Sequence, residues 1–163
     1  MIRAAVASDA EALAGIYNHY VRETAITFEE VEVTPAEMAR RIQEVSSSSL
    51  PWLVSTGDGQ VLGYAYAGKW KARAAYRFSV ETTVYVDPGR LGSGVGKALY
   101  AALFADLQTR DVNAVIGGIA LPNERSVALH EGFGMKKVAH FERVGFKFGR
   151  WIDVAYWQVT LQP

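Results

Sequence analysis

The sequence predicts an α/β fold, a mixed sheet with parallel pairing at its centre. Three observations carry this. Two helical segments come first and the hydrophobic period changes at Pro51. Strands dominate from there on. One strand–helix–strand crossover then interrupts a series of hairpin-like strands, which is how a parallel pair enters a mixed sheet. The whole chain of 163 residues is sized for one domain, 1–163.

Ser8-Asp9-Ala10-Glu11 has capping-box spacing, and Leu13, Ile16, Tyr17 and Tyr20 follow at helical intervals, so a first helix is expected to about Arg22. Thr34-Pro35-Ala36-Glu37 repeats the start signal with proline at the first helical position; Met38, Ile42 and Val45 form its stripe, and Ser46–Ser49 ends it. Trp52–Val54 and Gln60–Ala67 read as strands around the turn Gly57-Asp58-Gly59. Val80–Val86 is a β-branched strand stopped by Asp87-Pro88-Gly89. After a glycine cluster, Lys97–Leu107 is helical with Leu99, Leu103 and Leu107 on one face. Val112–Ala120 is a strand of small and β-branched residues. Pro122-Asn123 opens a short helix that Gly132 and Gly134 close, and strands near Lys137–Val144 and Asp153–Leu161 complete the order.

Composition narrows the function. Seventeen basic and 17 acidic side chains balance, which argues against nucleic-acid or membrane-surface attraction over long range. There is no cysteine, so disulfides, zinc thiolates and thiol nucleophiles are out of reach. No histidine pair has metal-ligand spacing, and no metal is expected. No signal-peptide core follows Met1, and no apolar run reaches membrane-helix length; a cytoplasmic location is expected.

The segment Leu91-Gly92-Ser93-Gly94-Val95-Gly96-Lys97 joins a strong strand to a strong helix. Such glycines let backbone N–H groups converge on an anion at a helix N-terminus. Close-packing glycines at a helix entry are the plainer alternative. It is not a Walker A loop, because Leu91 and Ala98 stand where glycine and a metal-binding hydroxyl belong, and its third glycine comes one residue early for a dinucleotide fingerprint.

Glu81 lies in an apolar strand, where burial would raise its pKa into a useful range for a base; the plain alternative is a glutamate on the wet face of an edge strand. His130 reads as a packed histidine or as an imidazolium acid, Asn123 as a helix cap or a ligand to a polar arm. Lys69, Lys71, Arg73 and Arg77 come close together with no acid between them, which fits an anionic ligand or a solvated loop. Arginine grips carboxylates and phosphinates with paired bonds, so Arg73 and Arg77 are the preferred anchors, with Trp70, Tyr76 and Phe28 lining the apolar part. A second basic stretch, Lys136–Arg150, faces either phosphates or a subunit partner.

Thr83-Val84-Tyr85-Val86-Asp87-Pro88, the glycine loop, and Asn123-x-x-Ser126-x-x-Leu129-His130-Glu131 together resemble the cofactor core of the GNAT N-acetyltransferase superfamily. Asn18-His19-Tyr20, Pro51–Val54, Tyr66–Arg73, Ala75-Tyr76 and Gly145–Trp151 with Asp153 extend the similarity to its phosphinothricin and methionine sulfoximine acetyltransferases, over nearly the whole chain. The resemblance implies a mixed, mostly antiparallel sheet of about seven strands flanked by helices, acetyl-CoA as co-substrate, direct transfer to the α-amine of a small anionic amino acid, and a homodimer. It implies Glu81 as base and His130 as acid. Backbone groups of Val84, Tyr85 and Val86, the loop from Leu91 to Lys97, and Asn123 and Ser126 would hold the cofactor. Leu91 departs from the Gln or Arg usual there, which should tune affinity. A polyamine, an aminoglycoside or a protein amino terminus is the alternative acceptor, and a silent acyl-CoA sensor the alternative to an enzyme; cationic acceptors call for an acidic pocket, and a sensor for the loss of Glu81 and His130.

Overall fold

A computed structural model describes residues 1–161. In chain order the elements are β1 (Ile2–Ala4), α1 (Ala10–Glu23), α2 (Pro35–Ser47), β2 (Trp52–Gly57), β3 (Gln60–Lys69), β4 (Ser79–Val86), α3 (Val95–Gln108), β5 (Ala114–Ala120), α4 (Glu124–Gly132), β6 (Lys136–Lys147) and β7 (Arg150–Thr160). The seven strands form one sheet in the order β1-β2-β3-β4-β5-β7-β6. Every neighbouring pair is antiparallel except β4 and β5, which are parallel and are joined through α3.

Local chemistry accounts for the element ends. Thr34 caps α2 by accepting from the Glu37 N–H at 3.1 Å. Asp58 and Gly59 both have positive φ, 51° and 75°, the geometry of a two-residue hairpin between β2 and β3. Gly134, at φ 80°, terminates α4 as expected. The capping box at Ser8 does not form. Asp9 instead pairs with Arg3 at 2.8 Å and accepts from the Val6 N–H, because β1 brings that guanidinium to the start of α1. The three-residue edge strand β1 is also the one strand that the order of sequence signals lacked.

Two apolar layers cover the sheet. On one face α3 seats Leu99, Tyr100, Leu103 and Leu107 against Val80, Val115, Ala155 and Trp157. On the other, α1 and α2 pack Leu13, Tyr17, Tyr20, Met38 and Ile42 on Trp52, Val54 and Tyr64. Side chains alternate along β4, so Val80, Thr82 and Val84 face α3 while Glu81, Thr83 and Tyr85 face the α1–α2 layer.

Candidate active site

β4 and β5 stay together for only three pairs, Ser79↔Ala114 to Glu81↔Ile116, and then separate. β4 continues along β3 to Val86, and β5 continues along β7 to Ala120. The sheet is therefore split at its centre. Asp87 N–H donates to Leu62 O and Trp70 N–H to Ser79 O, which sets the antiparallel alternation. Glu81, Thr83 and Tyr85 direct their backbone groups at β3, and Thr82, Val84 and Val86 direct theirs away from it. Tyr20 OH donates to the Val86 carbonyl. Among the described residues, the N–H and C=O of Val84 and the N–H of Val86 have no partner: a strand edge facing the split. Tyr85 also lines the split, by its side chain and not by free backbone groups. Its backbone is committed to Tyr64, and its ring packs against Tyr17 and Tyr20 at 5.1 Å.

Beyond β4, Gly92 and Gly94 take φ of 80° and 87°, and Gly94 is the N-cap of the 14-residue α3 without a side-chain cap. The first intrahelical bond runs from Ala98 N to Gly94 O. The amides of Val95, Gly96 and Lys97 are thus left at the helix's positive end beside the split. A Cβ at Gly92 or Gly94 would meet nothing within 4 Å, so backbone conformation, not packing, requires these glycines. Leu91, Ser93 and Arg90 are exposed at the same turn. The free strand edge and the uncapped amides together suit a long ligand with a polar arm and an anionic end, as coenzyme A has.

A cavity of about 290 Å³ occupies the split, lined on the α1–α2 side by Ile26, Thr27, Phe28, Glu81 and Tyr156, and on the α3 side by Thr82, Tyr100, Ser126 and His130. That volume lies near the low end of small-molecule sites. Glu81 is partly buried on the fourth of seven strands, so the edge-strand alternative does not hold. Burial pushes its carboxyl above the ordinary 4.5, against an opposing pull from Lys71, whose ammonium sits 4.8 Å from the centre of the Trp70 ring.

His130 is only 4% exposed. Its Nδ1 lies 2.7 Å from the Ser126 carbonyl, which assigns the proton to that nitrogen. Nε2 is 3.0 Å from the Tyr100 hydroxyl, itself 3.2 Å from Thr82 Oγ1. Burial lowers the imidazole's pKa from 6.5, opposed by the Ser126 bond, which favours the neutral ring at rest. Asn123 does cap α4, accepting from Ser126 N–H at 3.2 Å, yet also lines the cavity.

The strand β5 makes room for both sides. A Cβ on Gly117 would fall 2.5 Å from His130 Nε2, and one on Gly118 would fall 2.9 Å from the Tyr156 ring. Neither glycine, nor Tyr100 or Tyr156, was singled out from sequence; the consecutive Gly117-Gly118 inside a strand was the signal available. Gly117→Ala is expected to push the imidazole off Tyr100, lowering stability by about 1–3 kcal/mol in urea titration and activity with it. The segment 70–78 between β3 and β4 is largely exposed. Arg73, Tyr76 and Arg77 lie there outside the cavity, Arg77 stacked on Phe78 at 4.3 Å, and Trp70 reaches it only through Tyr156 at 5.5 Å. Of the expected acceptor-binding residues, Phe28 and Glu81 line the cavity.

A split central sheet with a free strand edge, an uncapped helix start and a carboxylate opposite them is the arrangement of an acyl-group transferase. The chain belongs to the GNAT acetyltransferase family, whose domain matches residues 2–156, and is an N-acetyltransferase. It is similar to the phosphinothricin N-acetyltransferase of Streptomyces coelicolor, at 43% identity over 174 residues covering 98% of this chain and 95% of that one. The L-methionine sulfoximine/L-methionine sulfone acetyltransferase of Salmonella typhimurium is 34% identical over 160 residues, covering 98% and 94%. The crystal structure of a phosphinothricin acetyltransferase from Sinorhizobium meliloti in complex with acetyl-CoA superposes with a TM-score of 0.95 at 35% identity, covering 98% of this chain and 87% of that one.

Proposed function

We propose that this enzyme transfers the acetyl group of acetyl-CoA directly to the α-amine of a small amino acid with a second anionic or strongly polar group, of the phosphinothricin or methionine sulfoximine type. The observation that carries the reading is the partly buried Glu81 carboxylate at the point where β4 and β5 part. Val84 and Val86 bond the pantetheine arm along the open edge of β4, aided by Asn123 and Ser126, and the amides of Val95, Gly96 and Lys97 take the diphosphate. Glu81 removes the ammonium proton, and an N–H of the open β4 edge meets the oxyanion.

His130 reprotonates the departing thiolate through the Tyr100 hydroxyl. A buried imidazolium is a stronger acid than an exposed one, so its minority charged form donates readily. Lys71, the cation acting on Glu81, takes the acceptor's anionic group, with Arg73 and Arg77 as outer charges of the same sign.

The reading includes a homodimer, supported by Val138, Phe141, Val144, Phe146, Phe148 and Trp151, all exposed on the β6–β7 hairpin. It also includes action in the cytoplasm. An acetyl-transfer assay with phosphinothricin, methionine sulfoximine and spermidine tests the acceptor class. Turnover of the first two is expected, and turnover of spermidine alone would overturn the proposal.

A further inference from the structure

Residues 24–34 join α1 to α2 without regular secondary structure, yet they carry Ile26, Thr27 and Phe28 to the rim of the cavity. Side chains of the two helices fix this segment from one side. Asn18 brackets the Val33 backbone at 2.8 and 2.7 Å, Arg41 forks onto Glu29 at 2.9 and 2.6 Å, and the Tyr17 hydroxyl meets Thr27 Oγ1 at 2.7 Å.

The other side is fixed by β6, a strand with no residue in the cavity wall. Lys147 is 2% exposed and donates from Nζ to the Thr27 carbonyl at 2.8 Å. Burying an ammonium is costly unless it is hydrogen-bonded and near opposite charge, and here the Thr27 carbonyl and the Glu29 and Glu30 carboxylates supply both. Two residues earlier and on the same strand face, Gly145 lies against the Phe28 ring. A Cβ there would overlap Cε2 and Cζ of the ring and stand 3.1 Å from Cδ2. Gly145 does not adopt a positive φ, so what its missing side chain provides is room. Phe28 itself is 40% exposed and free to swing outward if that room is filled.

We propose that Gly145 and Lys147 are positioning residues that set acceptor specificity: together they seat Phe28 and Thr27 as the wall against which the acceptor's side chain is measured. This rests on reading the cavity's Glu81 side as the acceptor site. The donor side, formed by the β4 edge and the start of α3, has no contact with either residue and should not respond.

Steady-state kinetics of Gly145→Ala, Phe28→Ala and the double variant provide the test, with phosphinothricin and methionine sulfoximine as acceptors. Gly145→Ala is expected to raise the acceptor KM by about tenfold or more and to change the ratio between the two acceptors, with the KM for acetyl-CoA held within about twofold. Lys147→Met should give the same acceptor-confined defect. After Phe28→Ala, adding Gly145→Ala should have no further effect on acceptor KM. An unchanged acceptor KM, or both substrates' KM values rising together, overturns the proposal.

The thermal midpoints without substrate decide the geometric claim even if the wild type turns over neither acceptor. Gly145→Ala should lower the midpoint only while the Phe28 ring is present. An equal lowering in both backgrounds overturns the claim.

Discussion

Glu81→Gln is expected to lower kcat by about 10²–10⁴-fold, the contribution of a positioned proton-transfer group, and to leave acetyl-CoA affinity within about twofold. The separation follows from the sheet. On the proposed reading, coenzyme contacts come from the backbone N–H and C=O of Val84, the N–H of Val86 and the start of α3, none of which changes when a side chain on the opposite face loses its charge. The pH profile adds a sign. Glu81 must be ionised to accept a proton, and burial raises its pKa above 4.5, so kcat/KM should fall as pH drops through that raised value. Gln has no such transition, so the residual activity of the variant should lose that acidic limb. Stopped-flow or steady-state rates across the acidic range, with calorimetry for acetyl-CoA, read both effects. Retention of wild-type kcat by Glu81→Gln would remove it from the chemistry.

The second large effect is expected at Gly94. At φ 87° a β-branched residue is strained, by about 1–3 kcal/mol, and relief of the strain turns the first amides of α3 away from their common target. Gly94→Val should therefore weaken acetyl-CoA binding by about tenfold or more, each tenfold corresponding to about 1.4 kcal/mol. Because Glu81 is untouched, kcat at saturating acetyl-CoA should recover far better than kcat/KM for the coenzyme. Gly15→Ala is the control. That glycine sits inside α1 with nothing within 4 Å of an added Cβ, so the change should leave affinity alone and stabilise the helix by about 0.5–1 kcal/mol. Calorimetric affinity and denaturant midpoints separate the two variants.

Much of this molecule was legible in its residues because the relevant signals are local. The proline-started α2, the turn at Asp58-Gly59 and the left-handed stop at Gly134 each rest on residues a few positions apart. The glycine loop was legible for the same reason, since positive φ and an uncapped helix start leave their mark in composition. What the chain hid was non-local. β1 is three residues long and exists because β2 accepts it. The Ser8 signal lost to an Arg3–Asp9 pair that only that edge strand creates.

Tyr100 sits within the apolar stripe of α3 and reads as core. Only the packing of α4 beside α3 places its hydroxyl against His130. Glu81's environment likewise depended on strand order, which put β4 in the centre and not at an edge. The basic stretch before β4 was visible, but segment 70–78 runs outside the cavity, so Lys71, Arg73 and Arg77 do not line it.

Backbone amide resonances followed by NMR during an acetyl-CoA titration most directly test whether the split between β4 and β5 holds the coenzyme. The largest shifts are expected at Val84 and Val86 and across Gly94–Lys97, with the Tyr85 amide, bonded to β3, moving far less. Shifts confined elsewhere, such as the hollow beside Met1, Asp9 and Asp58 at the opposite edge of the sheet, or no shifts on addition of excess coenzyme, would contradict it.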